Sequence, residues 1–133
     1  MRLILSGWLL VLAAAAGAAG PPPSSGGGSH RFILLLYEGR SFEAAASHVD
    51  EYRSWSAGLR AEGREVSGDE ILPGGDSLSA GGARGPDPSS GRDERLGGYF
   101  IVSAADLSDA LAVGRRCPHL RHGGRIVVRA LGG

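Results

Sequence analysis

The sequence is poor in several residue types, and the single cysteine and the balance of charges each exclude a class of function. It has no lysine and one cysteine, and its aromatic residues are two Trp, three Tyr and three Phe. Because 14 arginines are balanced by 14 acidic residues, the 133-residue chain offers no broad basic surface for nucleic acid. A single cysteine excludes a disulfide within the chain and a metal site built from several cysteines. The length predicts one folded domain.

The N-terminal residues follow the three-part pattern of a secretory signal peptide. Met1-Arg2 is followed by an apolar stretch and then by small residues up to Ala19. That stretch is short for a membrane span, which takes about 20 apolar residues. We therefore predict a signal peptide over residues 1–19 and a secreted or periplasmic protein with no membrane span after cleavage. The alternative is that the true start lies near His30, which would leave the protein in the cytoplasm.

Composition divides the rest of the chain into a linker and a domain. Residues 20–30 are almost entirely Pro, Gly and Ser, so we predict a disordered linker there and a folded domain over residues 31–132. Within that domain, residues 73–91 are rich in Gly, Pro and Ser, and Leu78 is the one aliphatic side chain larger than alanine. This composition predicts a flexible loop that adds little to the core.

The predicted elements follow the order of an α+β domain. Residues 32–37 are a continuous apolar run, which is typical of a strand buried on both faces. A helix capped by Ser41 and ended by Gly63 follows, and a second helix begins at Asp106 with Asp109 in a capping-box position. Further strands are predicted at 65–72, 99–104 and 125–131. The order βαββαβ is ferredoxin-like, with an antiparallel sheet and two helices on one of its faces.

The first strand also predicts a homodimer. Leu34 and Leu35 point to opposite faces, and helices from one chain cover only one of them. Apolar side chains on the other face would be costly to expose. A second copy of the sheet is the economical cover, and it would enclose a barrel-like space.

Several motifs, in this order, resemble the YCII-related family and in particular its branch of DGPF proteins. The motifs are His48-x-x-x-Tyr52-x-x-Trp55, Gly68-Asp69-Glu70-Ile71-Leu72-Pro73, Leu96-Gly97-Gly98-Tyr99-Phe100, Arg116-Cys117-Pro118-His119-Leu120 and Gly123-Gly124-Arg125-Ile126-Val127. The resemblance implies a dimeric α+β barrel. It also implies a β-hairpin ending in Asp-Gly-Pro-Phe, of which only Gly85-Pro86 remains here, so we expect a loop in its place.

The candidate catalytic residues are His48, Asp69 and Glu70. His48 lies one predicted helical turn before Tyr52, and an imidazole is the side chain best suited to proton transfer near neutral pH. Asp69 and Glu70 follow Gly68, where we predict a bend in the strand. Because neighbouring residues of a strand alternate between faces, at most one of the two carboxyl groups should point at His48. The resembled family is suspected of acid–base chemistry with a His–Asp pair, and the His of its founding branch aligns with Tyr52.

Other polar residues favour structural roles. Cys117, His119 and His122 lack the further ligands that a zinc site needs, and a thiol at a helix C-terminus is a poor nucleophile. Gly97-Gly98 precedes a strand, whereas a phosphate site would need a helix N-terminus there. We therefore expect neither a cofactor nor a metal ion.

Two functions remain open at this point, and the sequence alone leaves the question of catalysis undecided. The first is an exported homodimer that acts as a non-catalytic module for assembly or for binding a small molecule. The alternative is a small cofactor-independent enzyme of the lyase, isomerase or hydrolase type, with His48 as acid or base beside Asp69 or Glu70 in a dimer cleft. The expected partners are a second copy of the chain and a small-molecule ligand, with no nucleic acid.

Overall fold

The computed structural model describes residues 28–89 and 91–133. The predicted signal peptide and most of the predicted linker lie outside these residues. The elements, in chain order, are β1 (His30–Glu38), α1 (His48–Ala61), β2 (Val66–Glu70), β3 (Asp76–Leu78), β4 (Arg84–Pro86), β5 (Arg95–Ala104), α2 (Leu107–Arg115), α3 (Pro118–Arg121) and β6 (Arg125–Ala130). Within these ranges no helix is long and apolar enough to cross a membrane.

Four strands form one antiparallel sheet in the order β2-β5-β1-β6. The central strand β1 pairs with β5 on one side and β6 on the other, and β2 pairs with the far side of β5. The pairing of β1 with β5 shifts register after Leu36, because Leu36 lies opposite Gly98 and Tyr37 lies opposite Leu96. Gly97 is thereby the extra residue of a bulge. The predicted combination of an antiparallel sheet with helices in an α+β domain is confirmed.

The core lies between one face of the sheet and the helices. Leu34 is fully buried, and Phe100, its partner on β5, meets the edge of the Trp55 ring from α1 at a centroid distance of 4.9 Å. The backbone of α2 approaches the same face, where Gly114 faces Leu34 and Val128. Both helices therefore cover the Leu34 side of the sheet, because the small Gly114 lets α2 lie close to it.

The opposite face of the sheet is only half-buried. Ile33 and Leu35 alternate with the buried residues of β1, and their side chains share this face with Ile101, Tyr99 and Val127 from the neighbouring strands. The sequence predicted a first strand buried on both faces. Within the described chain it is buried on one, because both helices pack on the Leu34 side.

The first helix begins later than predicted. Ser41 does not cap it: the Ser41 hydroxyl donates to the carbonyl oxygen of Gly123, and α1 starts at His48. The backbone N–H of Glu43 donates to the carbonyl oxygen of His122 at 2.9 Å. These bonds attach residues 41–43 to the segment before β6, so the backbone there is held out of a helix.

The second helix begins as predicted. The carboxylate of Asp106 accepts the backbone N–H of Asp109 at 2.8 Å. The Asp109 carboxylate in turn accepts the backbone N–H of Ala105 and binds both terminal nitrogens of Arg64 at 2.8 Å. This arrangement satisfies backbone donors that the first turn of a helix leaves free.

The expectation that a loop takes the place of a hairpin within residues 73–91 is wrong. Strands β3 and β4 pair as a hairpin, with Leu78 opposite Arg84. Gly81 and Gly82 both adopt a positive φ near 84°, the left-handed conformation that a tight turn needs and that glycine adopts readily. The scarcity of apolar residues excludes a core strand. It does not exclude a hairpin on the surface, where Leu78 is 75% exposed.

Candidate functional site

A cleft of about 440 Å³ lies on the helix-covered side of the sheet. Its floor is formed by Leu36 of β1 with Gly98 and Phe100 of β5, and its walls come from α1, the segment before it and the end of β2. Most of the exposed surface of this lining is apolar. The polar residues that line the same space are Glu38, His48, Tyr52, Arg53, Ser56, Arg60, Asp69, Glu70 and His119. Apolar walls with a small number of polar groups are the usual make-up of a small-molecule site.

The bulge in β5 shapes one end of the cleft. A side chain at Gly97 would overlap the carboxylate of Glu38, which leans across the bulge. Glu38 is held there by Arg95, at 2.6 Å between Oε2 and a guanidinium nitrogen. The absence of a side chain at Gly97 therefore leaves space for the Glu38 carboxylate.

His48, the predicted acid or base, is the first residue of α1 and lines the cleft wall. Its ring stacks on that of His122, with 3.4 Å between centroids and 10° between planes. Nδ1 of His48 is buried and has no hydrogen-bond partner among the described residues. His122 is fixed in turn by Glu51, whose Oε2 lies 2.7 Å from Nε2. The imidazole of His48 is thus positioned by stacking and keeps one ring nitrogen free.

Asp69 and Glu70 both line the cleft but lie on opposite faces of β2. Glu70 pairs with Gly98, so its side chain belongs to the helix-covered face, and Asp69 pairs with Tyr99 on the other face. One carboxylate oxygen of Asp69 accepts the backbone N–H of Glu70 at 3.0 Å. Within the described part of the chain, no hydrogen bond or ion pair joins His48 to either carboxyl group. The three residues therefore share a cleft without forming an acid–base pair.

A buried pair inside the cleft was not predicted as functional. The hydroxyl of Tyr52 lies 3.1 Å from Nδ1 of His119, and Nε2 of His119 lies 2.8 Å from the carbonyl oxygen of Tyr37. His119 is 1% exposed, and a side chain at Gly124 would overlap its ring. The sequence predicted Tyr52 one helical turn after His48 and gave His119 a structural role, without connecting the two. The sequence feature that belongs to this pair is Gly124, which leaves space for the His119 ring. No short spacing in the sequence connects His119 to Tyr52.

Burial keeps this pair neutral near neutral pH. It lowers the pKa of His119, and the carbonyl of Tyr37 and the charge of Glu38 offset only part of that effect. Burial also raises the pKa of the Tyr52 phenol. Tyr52 therefore retains its proton, and His119 is an uncharged imidazole.

Cys117 is unsuited to nucleophilic chemistry. Burial raises the pKa of its thiol to about 12, so the thiolate is scarce near neutral pH. The sequence predicted a poor nucleophile because of the helix C-terminus, whereas the main cause is removal from water. In residues 28–89 and 91–133, no group of three or more His, Cys, Asp or Glu side chains is arranged to hold a metal ion.

The fold and the cleft together define a small α+β domain in which two helices cover one face of an antiparallel sheet and a partly apolar cleft opens between α1 and that sheet. The chain belongs to the YCII-related domain family, whose model matches residues 31–130. The resemblance drawn from the motifs is therefore confirmed. Among curated proteins, no sequence matches this chain.

Proposed function

We propose that this protein is an exported homodimer that binds a small molecule in the cleft between α1 and the sheet. The observation that carries the proposal is a preformed apolar cleft of about 440 Å³ with polar side chains at defined positions. Sites for drug-sized ligands commonly fall between about 300 and 1,000 Å³. Leu36 and Phe100 offer an apolar surface, and Tyr52, His48 and Glu70 offer polar contacts.

The homodimer is supported by the half-buried face of the sheet. Ile33, Leu35, Ile101 and Val127 form an apolar surface that both helices leave uncovered. Burying such a surface stabilises an assembly by about 25 cal/mol per Å². We propose that a second sheet covers it in a dimeric α+β barrel. The strand order β2-β5-β1-β6, with crossovers through α1 and α2, supports the ferredoxin-like arrangement on which that barrel is built.

Export is supported by the three-part pattern of residues 1–19, which includes Arg2, the apolar stretch and the small residues up to Ala19. N-terminal sequencing of the protein from its natural host is expected to begin at Ala19 or Gly20. A mature chain that begins near His30 and stays in the cytoplasm would instead indicate a wrong start.

Ligand binding is tested by thermal unfolding of the purified protein against a library of small molecules. A ligand at 100 times its Kd adds about 2.7 kcal/mol to the free energy of unfolding and raises Tm. Ala45→Trp, at an exposed position in the cleft wall, should abolish the shift by filling the cleft. Ala57→Trp, on an exposed part of α1 away from the cleft lining, should preserve it. A shift that Ala45→Trp leaves unchanged would place the ligand elsewhere.

A second candidate function is a cofactor-independent lyase, isomerase or hydrolase. It is favoured by the His48 imidazole in the cleft wall and by Glu70, which lines the same cleft on the helix-covered side of the sheet. The assay is turnover of any compound that the thermal screen identifies. His48→Gln should abolish turnover and leave binding within a few-fold. Unchanged turnover in His48→Gln would exclude His48 as the acid or base.

A further inference from the structure

The polar end of the cleft is a hydrogen-bond chain whose direction is fixed. The carbonyl oxygen of Tyr37 only accepts hydrogen bonds, so Nε2 of His119 must carry the proton that lies between them. In a neutral imidazole the other nitrogen is then a bare acceptor. Nδ1 of His119 consequently accepts the proton of the Tyr52 hydroxyl.

This direction determines what Tyr52 offers to a ligand. A phenol has one proton, and that of Tyr52 is committed to His119. Towards the cleft, the Tyr52 oxygen therefore presents lone pairs alone. A ligand that brings an acceptor atom to this position would leave that atom and the Tyr52 oxygen without a hydrogen-bond donor. Unpaired polar groups cost about 1 to 3 kcal/mol in a desolvated site.

The charged groups around the cleft do not by themselves select one kind of ligand. Glu70, on the helix-covered side of β2, has no ion-pair partner among the described residues, and Glu38 pairs with Arg95. Arg53 and Arg60 also line the cleft and keep their positive charges. The distinction between donor and acceptor ligands therefore rests on the Tyr52 oxygen.

We propose that the cleft recognises a small molecule whose apolar body lies on Leu36 and Phe100 and whose hydroxyl or ammonium group donates a hydrogen bond to the Tyr52 oxygen. The proposal rests on ligand binding in this cleft and specifies the chemical class of the ligand. Carboxylate-bearing analogues of the same shape should be rejected, because they place acceptors against the Tyr52 oxygen, which is itself an acceptor.

Three probes of matched shape test the proposal: phenethylamine, phenethyl alcohol and hydrocinnamate. Each is titrated into the full chain, and amide chemical shifts are followed by NMR. We expect the amine and the alcohol to shift cleft resonances and to bind at least about tenfold more tightly than the carboxylate, a difference of about 1.4 kcal/mol. Equal or tighter binding of hydrocinnamate in the cleft would overturn the donor requirement and leave cleft binding intact. If none of the three binds at millimolar concentration, or if the shifts are confined to other surfaces, both the donor requirement and ligand binding in the cleft are overturned.

Two further measurements isolate Tyr52. Tyr52→Phe should weaken the amine and the alcohol about tenfold and should not weaken hydrocinnamate, because it removes the acceptor that opposes the carboxylate. Tyr99→Phe, on the other sheet face, is the matched control. Because Tyr52→Phe leaves Nδ1 of His119 unpaired and could impair folding, the tautomer of His119 is also measured in the wild-type protein by long-range nitrogen–proton NMR. Protonated Nε2 with bare Nδ1 is expected. The opposite tautomer would make Tyr52 a donor to the ligand and overturn the proposal.

Discussion

Gly124 faces the imidazole of His119 so closely that even a methyl side chain would overlap the ring. The backbone N–H of Gly124 also donates to the carbonyl oxygen of His119 at 3.0 Å. Since His119 is buried and bonded through both ring nitrogens, it has little room to move aside. The absence of a side chain at position 124 therefore determines where the imidazole lies and, through it, the orientation of the Tyr52 hydroxyl.

Gly124→Ala should consequently destabilise the protein and disturb the cleft. Overpacking in a close-packed interior typically costs about 1 to 3 kcal/mol, and we expect a loss in that range from urea unfolding. The control is Gly132→Ala, where an added methyl group meets nothing within 4 Å. Wild-type stability together with an unchanged His119 nitrogen spectrum in Gly124→Ala would contradict the argument.

A second prediction concerns pH. Arg64 lowers the pKa of Asp109 from 3.8 to about 2 in the folded chain. A carboxyl group with a lowered folded pKa stabilises the protein above its ordinary pKa and loses that contribution as the pH falls towards the folded value. Asp109→Asn should therefore cost about 1 to 2 kcal/mol at neutral pH, with the difference from wild type shrinking between about pH 4 and pH 2.

Asp50→Asn is the matched control for Asp109→Asn. Asp50 forms an exposed ion pair with Arg53 at 3.4 Å, and such pairs contribute about 0 to 1 kcal/mol. Urea unfolding curves of both variants across the acid range provide the comparison. A pH-independent difference for Asp109→Asn would show that its charge is not the stabilising feature.

Leu35→Glu should convert the proposed dimer into monomers. The change places a charge at the centre of the half-buried sheet face, opposite Tyr99 and Val127, where desolvation in a dimer would be unfavourable. Leu78→Glu, on the exposed hairpin, introduces the same charge and should leave the dimer unchanged. Light scattering at micromolar concentration measures both. A wild-type protein that is already monomeric there would refute the homodimer.

The hairpin should be dispensable for folding. Its two strands pair with each other, and Leu78 remains exposed instead of entering the core. Replacing residues 75–87 by a short Gly-Ser turn should change the free energy of unfolding little, since each doubling of loop length costs about 0.6 kcal/mol. Urea unfolding is the measurement. Loss of folding would mean that the hairpin packs on the domain, and loss of a ligand response alone would assign it to binding.

Local patterns predicted those parts of the fold that local chemistry determines. The alternation of Leu34 and Leu35 between faces and the cap of Asp106 on Asp109 follow from residue types a few positions apart. The start of α1 was mispredicted because the backbone around Glu43 bonds to His122, far along the chain. The alanines at 44–46 favour a helix by their intrinsic propensity, and that propensity does not reveal the distant contact with His122.

The candidate site was predicted in part for the same reason. His48, Asp69 and Glu70 do line one cleft, and strand alternation predicted that the two carboxyl groups would diverge. The Tyr52–His119 pair was missed because 67 residues separate its members and the contact depends on the space above Gly124. A pairing of that kind becomes visible only when the strands and helices are assembled.

The chain from Tyr37 through His119 to Tyr52 joins β1, α3 and α1 in a single line of hydrogen bonds. Its middle member belongs to α3, a helix of only four residues whose own backbone bonds are few. Short segments of this kind open by local fluctuation at a lower free energy than the whole domain. Each opening of α3 would remove His119 and release the Tyr52 hydroxyl to rotate, so the acceptor in the cleft exists only while α3 is closed. A bound ligand would slow amide hydrogen exchange in α3 even though its contacts lie on α1 and the sheet.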